Sequence, residues 1–405
     1  MNILFVSDIF RLFDDVDCGA GNRSTMFIKA LSQLGHVDII SFEGTPIRGY
    51  GENCSVLHYE SVKTKFAKTP ENSWSRRTAM LNMWKSILLH PYSPYSYANT
   101  DKNKEAIIDS YYNKKHYDII ACRYIDHAIW CGLLKYSEKL VIDVDDKVSG
   151  TIYREIANTS FAHPWEKWYL LLKAKNIDRM VESVLSKVRC SFYSNVLEPT
   201  SSQSVFLHNV TMMTKPCSPI VESVPKRLLM IGHLNYGPNK YGARYFADNI
   251  FPKIKAMVPE VELHIVGRNP DSRLADHLNS IDGVTAMGFV DDIYEEYCQS
   301  RAVIVPVYNG AGTSVKFIEA LTMKRPVATT HFGIRGYEHI CKHNEHYLLS
   351  ATDEEYVDNC ISLLNSPEIG NSIADAGHNV AIDYFSQEKF MEIVIKSITR
   401  EFNSQ

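Results

Sequence analysis

The sequence has no run approaching the ~20 consecutive apolar residues that cross a bilayer, which excludes a membrane-spanning helix. No basic segment precedes its first apolar run, residues 3–6, and that run is too short for a signal peptide. Its nine cysteines, an odd number, contain no C-x-x-C pair, so a disulfide scaffold is excluded and a reduced, cytoplasmic setting is expected. Positive charge is not in excess. Forty-three Lys and Arg stand against 47 Asp and Glu, a net charge of −4, and nothing draws the whole chain to nucleic acid. What is present is ordinary globular material, 45% hydrophobic and 22% charged, and 405 residues at ~150 per domain predict two or three domains.

The apolar run at 3–6 reads as a buried strand. After a polar loop, Met26, Phe27, Ala30, Leu31 and Leu34 recur at helical spacing over 22–34, and Gly35 closes that helix. A second strand follows at 37–42, so the three elements form a right-handed crossover in a parallel sheet. Further strands are expected at 117–121, 140–144 and 190–193, which makes residues 1–215 one α/β domain. Three prolines, Pro216, Pro219 and Pro225, mark 216–226 as an interdomain linker. Beyond it strands at 228–232, 261–267, 284–287, 302–307 and 326–330 alternate with helices at 239–257, 272–280, 291–299 and 315–323. Residues 227–385 thus form a second doubly wound domain. Two such sheets place a cleft between them, and ligands bind outside the carboxyl ends of the strands.

The most informative segment runs Val305-Pro306-Val307-Tyr308-Asn309-Gly310-Ala311-Gly312-Thr313-Ser314-Val315-Lys316-Phe317-Ile318-Glu319. It is a strand, a glycine-rich loop and a helix. Thr313 or Ser314 is expected to cap the helix, while the glycines let a ligand approach the backbone and its free N–H groups receive an anion. Lys316 in the first turn opposes the helix dipole by ~0.3–1 kcal/mol, which a phosphate bound between it and the helix start would offset. Glu319 lies one turn on. The plain alternative, a capped core helix with a Lys316/Glu319 surface pair at i, i+3, stays open for this segment alone.

Several blocks in order carry a resemblance: Gly19-Ala20-Gly21-Asn22-Arg23, Leu229-Met230-Ile231-Gly232-His233-Leu234-Asn235-Tyr236-Gly237-Pro238-Asn239, Val266-Gly267, Gly288-Phe289-Val290, Gly312 to Leu321, and Pro326 to Gly336. Over nearly its whole length the chain resembles the retaining, nucleotide-sugar-dependent glycosyltransferases of family 4. That resemblance implies the GT-B fold, two Rossmann-like parallel-sheet domains facing across a cleft, with a C-terminal helix (386–405; apolar Phe390, Ile393, Val394 and Ile398) returning to the N-terminal domain.

The resemblance also implies roles. Lys316 and the amides around Gly312, Thr313, Ser314 and Val315 hold the donor diphosphate, and Glu319 binds the ribose. The loop at Phe289 and Val290 contacts the base, and Gly21, His233 and Asn235 complete the donor side. Asn22 and Arg23 are acceptor-side candidates. Two positions depart from the family pattern: Ala311 stands where a glutamate is usual, and His233, with Lys240 nearby, stands where an arginine is usual. Front-side attack is implied, with the leaving phosphate taking the acceptor's proton. Stabilising that phosphate is then the main catalytic task, assigned to Lys316, the Thr313 and Ser314 amides and the Gly21 loop. His127, just past the strand at 117–121, is the candidate for a catalytic histidine near the sugar. The expected partners are a nucleotide-sugar donor and a glycan or lipid-linked acceptor of the cell envelope, in polysaccharide biosynthesis, with no cofactor and no metal.

Other signals carry less. Gly19-Ala20-Gly21 lacks the third glycine of a dinucleotide fingerprint, Ser24 standing there, and does not directly follow its strand. Asp143-Val144-Asp145-Asp146 could hold a divalent metal but reads better as a strand end. His339-Ile340-Cys341-Lys342-His343-Asn344-Glu345-His346 has zinc-ligand residues without a complementary pair and reads as a polar loop. Residues 61–97 carry six cations against one anion among aromatics, a pattern suited to peripheral contact with an anionic membrane surface or to a solvated helix. Two rival functions remain, a nucleotide-sugar epimerase of the same architecture and a donor-binding protein without turnover.

Overall fold

The computed structural model describes residues 1–7, 19–42, 51, 53–59, 100–146, 149–158, 164–195, 204–268, 272–309 and 312–403. The chain divides into two units, Met1–His208 with Phe390–Gln405, and Asn209–Lys389. The basic aromatic stretch at 61–97, Cys18 and Ala311 lie outside the described residues.

In the first unit, β1 (Asn2–Ser7), α1 (Gly19–Leu34), β2 (His36–Ser41), β3 (Cys54–Tyr59), α2 (Lys102–Tyr112), β4 (Ile119–Arg123), α3 (Ile125–Trp130), β5 (Leu140–Asp145), α4 (Gly150–Asn158), α5 (Pro164–Leu185), β6 (Cys190–Tyr193) and β7 (Ser204–Phe206) follow one another. The sheet is parallel and seven-stranded in the order β3-β2-β1-β4-β5-β6-β7. Ile3, Leu4, Phe5 and Val6 are wholly buried, as a central parallel strand covered on both faces requires. Phe27 of α1 packs edge-on against Phe192 of β6 at 5.6 Å.

The second unit contains β8 (Arg227–Ile231), α6 (Gly237–Tyr245), α7 (Phe251–Met257), β9 (Glu262–Val266), α8 (Ser272–Asn279), β10 (Val284–Gly288), α9 (Ile293–Cys298), β11 (Ala302–Val305), α10 (Val315–Thr322), β12 (Val327–Thr330), β13 (Leu348–Ser350), α11 (Asp353–Asn365) and α12 (Pro367–Phe385). Its six strands are parallel in the order β10-β9-β8-β11-β12-β13. The order reverses between β8 and β11, the switch point where loops diverge to leave a crevice. The single helix expected over 239–257 is instead α6 and α7 joined by a π turn, Phe246–Ile250. Pro252 opens α7 and has no N–H to donate, so the wider turn absorbs the missing bond.

The unit boundary falls at His208/Asn209, and residues 216–226, read above as a linker, are a strap on the second unit. Cys217 and Ile220 are buried, and Ile220 exchanges two 2.8 Å bonds with the Asn371 side chain. The prolines remove donors, which a strap with no strand partner does not need. Buried Arg301 holds it, donating to the carbonyls of Val224 (3.0 Å), Glu222 (2.8 Å) and Leu364 (2.6 Å). The last helix, α13 (Gln387–Asn403), buries Phe390, Val394 and Ile398, and its residues from Phe390 onward belong to the first unit.

Among the described residues no helix is long and apolar enough to cross a membrane. Replacing Arg301 by Met would leave three carbonyls without their charged donor, so Arg301→Met should lower the second unit's unfolding free energy by about 3 kcal/mol. Urea titration measures this, and an unchanged midpoint would show that the strap is held by other contacts.

Candidate functional site

The site of the second unit begins at the carboxyl ends of its strands, where glycines leave the backbone bare. Gly232 follows β8 and Gly267 follows β9; a Cβ on Gly267 would lie 1.9 Å from the Gly232 carbonyl oxygen. A Cβ on Gly232 would lie 2.7 Å from Asn239 Nδ2 and 3.2 Å from Lys316 Nζ. A side chain at Gly267 would thus meet backbone, while one at Gly232 would push on the ends of Asn239 and Lys316.

They meet by design of the two helix starts. Asn239, in the first turn of α6 and buried, donates its Nδ2 to the His233 carbonyl at 3.0 Å, which turns its Oδ1 toward α10 to accept from Lys316 Nζ. Lys316 is half-buried, and burial pushes its pKa down to about 8 against the opposing pull of Glu319. Glu319 does not bond to it. Its Oε1 accepts from Tyr297 at 2.7 Å and its Oε2 from Thr211 at 3.1 Å, while burial raises its pKa against those two bonds and Lys316. The surface pair at i, i+3 is thus absent, each partner being held by groups elsewhere in the chain.

Neither expected cap forms. Ser314 occupies the N-cap position of α10 with no side-chain cap bond, and its buried Oγ has no hydrogen-bond partner. Thr313's hydroxyl instead accepts from Asn209 Nδ2. The first N–H groups of a helix have no intrahelical acceptors; here the Phe317 N–H bonds the Ser314 carbonyl at 3.1 Å, and no Ser314 or Thr313 hydroxyl caps those before it. Gly312, with φ of +84°, supplies the left-handed turn that aims this loop. A cavity at this corner is lined by Asn239, Gly312, Thr313, Ser314, Lys316 and Arg335, with Val315, Tyr236 and Phe332 beside them. Two cations and an uncapped helix start face one small space, which suits an anion.

Other candidates lie apart from that cavity. His233 contributes its backbone carbonyl through Asn239, and Asn235 is exposed. Phe289 is 57% exposed beneath the Arg268 guanidinium at 4.4 Å, whereas Val290 packs on the core. Gly288, at φ of +69°, has open space where a side chain would be.

In the first unit, Gly21 is buried in α1, and the Asn22 Oδ1 is buried without a partner. Arg23, read as an acceptor-side candidate, is wholly interior. It grips Asp143 through Nε (2.8 Å) and Nη2 (2.7 Å) and donates Nη1 to the carbonyls of Leu207 and His208, both at 2.9 Å. Its donors are spent on the fold. Arg123 reaches Asp145 at 2.5 Å, and against the cost of burial the two arginines hold Asp145 below the usual carboxylate range. These carboxylates are thereby committed to guanidinium groups. Among the described residues no cluster of three or more His, Cys, Asp or Glu is placed to hold a metal. His343 and His346 accept backbone N–H groups of Leu349 and Lys342 through Nδ1.

His127 is 2% exposed, stacked on Trp130 at 5.7 Å, with Nε2 lacking a partner. Burial, aided by Arg123 and Lys104, pushes its pKa down to about 3, so it is a neutral imidazole. The sequence reading missed Asn239, Thr211, Tyr297, Asn209 and Arg335 as site residues. Asn239 and Arg335 stand inside the quoted motifs; the others carry no local signal, because Tyr297 and Thr211 reach Glu319 across 22 and 108 positions.

Residues 225–366 match the family model described as Glycosyl transferases group 1. The whole chain is similar to sucrose-phosphate synthase from Thermosynechococcus elongatus (14% identity, all of both chains covered, TM-score 0.68). It is similar too to a glycosyltransferase from Rickettsia africae (14% identity, 100% of this chain and 99% of that one, TM-score 0.62). A third similar structure is Anabaena HepE, solved with UDP and glucose (11% identity, 100% of this chain and 99% of that one, TM-score 0.61). No curated protein matches the chain by sequence. Likeness at this identity, over full length, shows the fold, which is GT-B.

The Lys316 ammonium yields a pH test. Its folded pKa of about 8 lies below the ~10.4 of an unfolded lysine, so between those values the unfolded chain binds more protons and stability rises with pH. Relative to Lys316→Met, the ligand-free protein should gain urea resistance as pH climbs from about 8 to 10.4. A flat difference across that window would remove the burial argument.

Proposed function

We propose that this chain, a glycosyltransferase of the GT-B fold carrying a group 1 domain, transfers a sugar from a nucleotide-diphosphate donor to a glycan or lipid-linked acceptor of the cell envelope, retaining anomeric configuration. One observation carries the reading: a half-buried ammonium, bonded to a neutral amide rather than a carboxylate, stands at an uncapped helix start beside an unpartnered hydroxyl. That corner is short of negative charge, and the donor diphosphate supplies it.

The diphosphate sits against Lys316, Ser314, the amides of the Gly312 turn and Arg335. Glu319 spends one lone pair of each oxygen on Tyr297 and Thr211, and a carboxylate keeps about two more sites for ribose hydroxyls. Backbone at Phe289 and Val290, freed by the turn at Gly288, meets the base. As the bond from sugar to phosphate lengthens, charge grows on the leaving oxygens, and Lys316 with the helix start stabilises it. The acceptor hydroxyl attacks the same face and passes its proton to the departing phosphate. No protein nucleophile is required. Asn22 and His127, whose buried polar atoms lack partners, support sugar-side and acceptor-side contacts, with the Gly21 backbone beside Asn22; Arg23 does not. The unpaired cysteine set supports a cytoplasmic setting, and the basic stretch at 61–97 supports peripheral membrane contact.

UDP-glucose is the first donor to try, since HepE was solved with UDP and glucose. Lys316→Ala should lower kcat/KM about 10²- to 10³-fold, the scale for one oxyanion donor, and the product anomer read by NMR should match the donor's. Near-normal turnover of the variant would refute the role of Lys316. Epimerised donor without acceptor, or donor binding with no transfer to extracted glycans, would replace the reading with an epimerase or a binding protein.

A further inference from the structure

Cys217 and Cys298 stand 81 positions apart in sequence, yet their Sγ atoms are 2.7 Å apart. Cys217 lies on the strap before β8 and is 3% exposed; Cys298 ends α9 and is half-buried. The backbones around them are registered independently of sulfur. Arg325 donates Nη2 to the Cys298 carbonyl (3.0 Å), Nη1 to the Ser218 carbonyl (2.9 Å) and Nε to the Tyr297 carbonyl (2.8 Å). The Cys217 N–H binds the Met323 carbonyl at 3.1 Å, and the Tyr294 hydroxyl donates to the Pro216 carbonyl at 3.3 Å. A disulfide needs its sulfurs ~2.05 Å apart, so a short closing motion within a fixed frame joins them.

We propose that Cys217 and Cys298 form a reversible disulfide, a redox modification site in the second unit that a small-molecule disulfide installs and a thiol removes. Cys298 is the sulfur an oxidant can reach. Its thiolate attacks one sulfur of the small disulfide, expelling the other as a thiolate and leaving a mixed disulfide on Cys298. Cys217 then gives up its proton to the expelled thiolate and attacks the Cys298 sulfur, releasing the second small thiol. Two protein thiols and one disulfide become one protein disulfide and two thiols, with atoms and electrons balanced. Burial, then the contact with Cys298, pushes the Cys217 thiol up to about 12, which makes it the resolving partner rather than the initial nucleophile. In a reducing compartment the pair rests as thiols, which fits the absence of any C-x-x-C motif or even cysteine count. The inference is independent of the donor reading.

The full chain is incubated with hydroxyethyl disulfide, alkylated, and digested without reduction for mass spectrometry. The expected result is a Cys217–Cys298 cross-linked peptide that dithiothreitol reverses, with the melting temperature of the oxidised protein raised by roughly 5 °C. In Cys217→Ser the reaction should stop at the mixed disulfide, a mercaptoethanol adduct retained on Cys298. Separate alkylation of both cysteines in the treated wild type overturns the proposal, as does a stable adduct on wild-type Cys298. The wild-type digest decides the matter even if the serine variant fails to fold.

Discussion

A single desolvated cation sets the terms of the second unit. Lys316 is drawn into the protein by α10, yet the group that meets it is the carboxamide of Asn239, which satisfies one donor and neutralises nothing. Burial costs the ammonium more than the pull of Glu319 returns, visible in the depressed pKa, and an anion bound there would recover that cost. Gly232 leaves space for the amide and the ammonium to meet, and the His233 carbonyl orients the amide.

The first unit shows what the same fold does with cations it keeps for itself. Arg23 and Arg123 are interior, but they face Asp143 and Asp145, and Arg23's remaining donor bonds go to the carbonyls of Leu207 and His208. Removing one member of such a cluster strands a charge at a cost of ~3–5 kcal/mol, whereas the cluster as a whole asks for no ligand. Two positive charges balanced by two negative ones hold a domain together. A positive charge that bonds only to an amide dipole, with its nearby carboxylate bonded elsewhere, leaves room for a ligand of negative charge. The difference separates Arg23, a fold residue, from Lys316, a candidate site residue, although both stand near the starts of glycine-associated helices.

That distinction marks the limit of what the sequence could reveal. Long central strands and their helices are legible because burial on both faces demands unbroken apolar runs, as at residues 3–6. The edge strands β3, β7 and β13 are not, since Ser204–Phe206 is only half-buried and three residues long. The loop-helix segment at 312–319 stands out through glycine spacing and an ill-placed lysine, both local features. Tyr297 and Thr211 fix Glu319 from distant parts of the chain, and nothing in their neighbours hints at it. Prolines at 216, 219 and 225 read as an interdomain linker; the buried Cys217 and Ile220 and the grip of Arg301 make the segment part of the second unit, which packing across the chain decides.

The uncapped start of α10 completes the electrostatic argument. A serine at the N-cap ordinarily closes one orphan N–H and stabilises the helix by about 1 kcal/mol, and here that bond is not made. Lys316 in the first turn adds a further unfavourable interaction with the helix dipole. Both defects have one remedy. An anion at the corner would oppose the dipole and pair the ammonium at once, so each local loss would become a gain that exists only in the liganded protein. By mass action such a ligand stabilises the folded chain in proportion to the logarithm of its concentration over Kd. A helix that is poor in isolation would thereby be selective for charge, through what its first turn leaves unsatisfied.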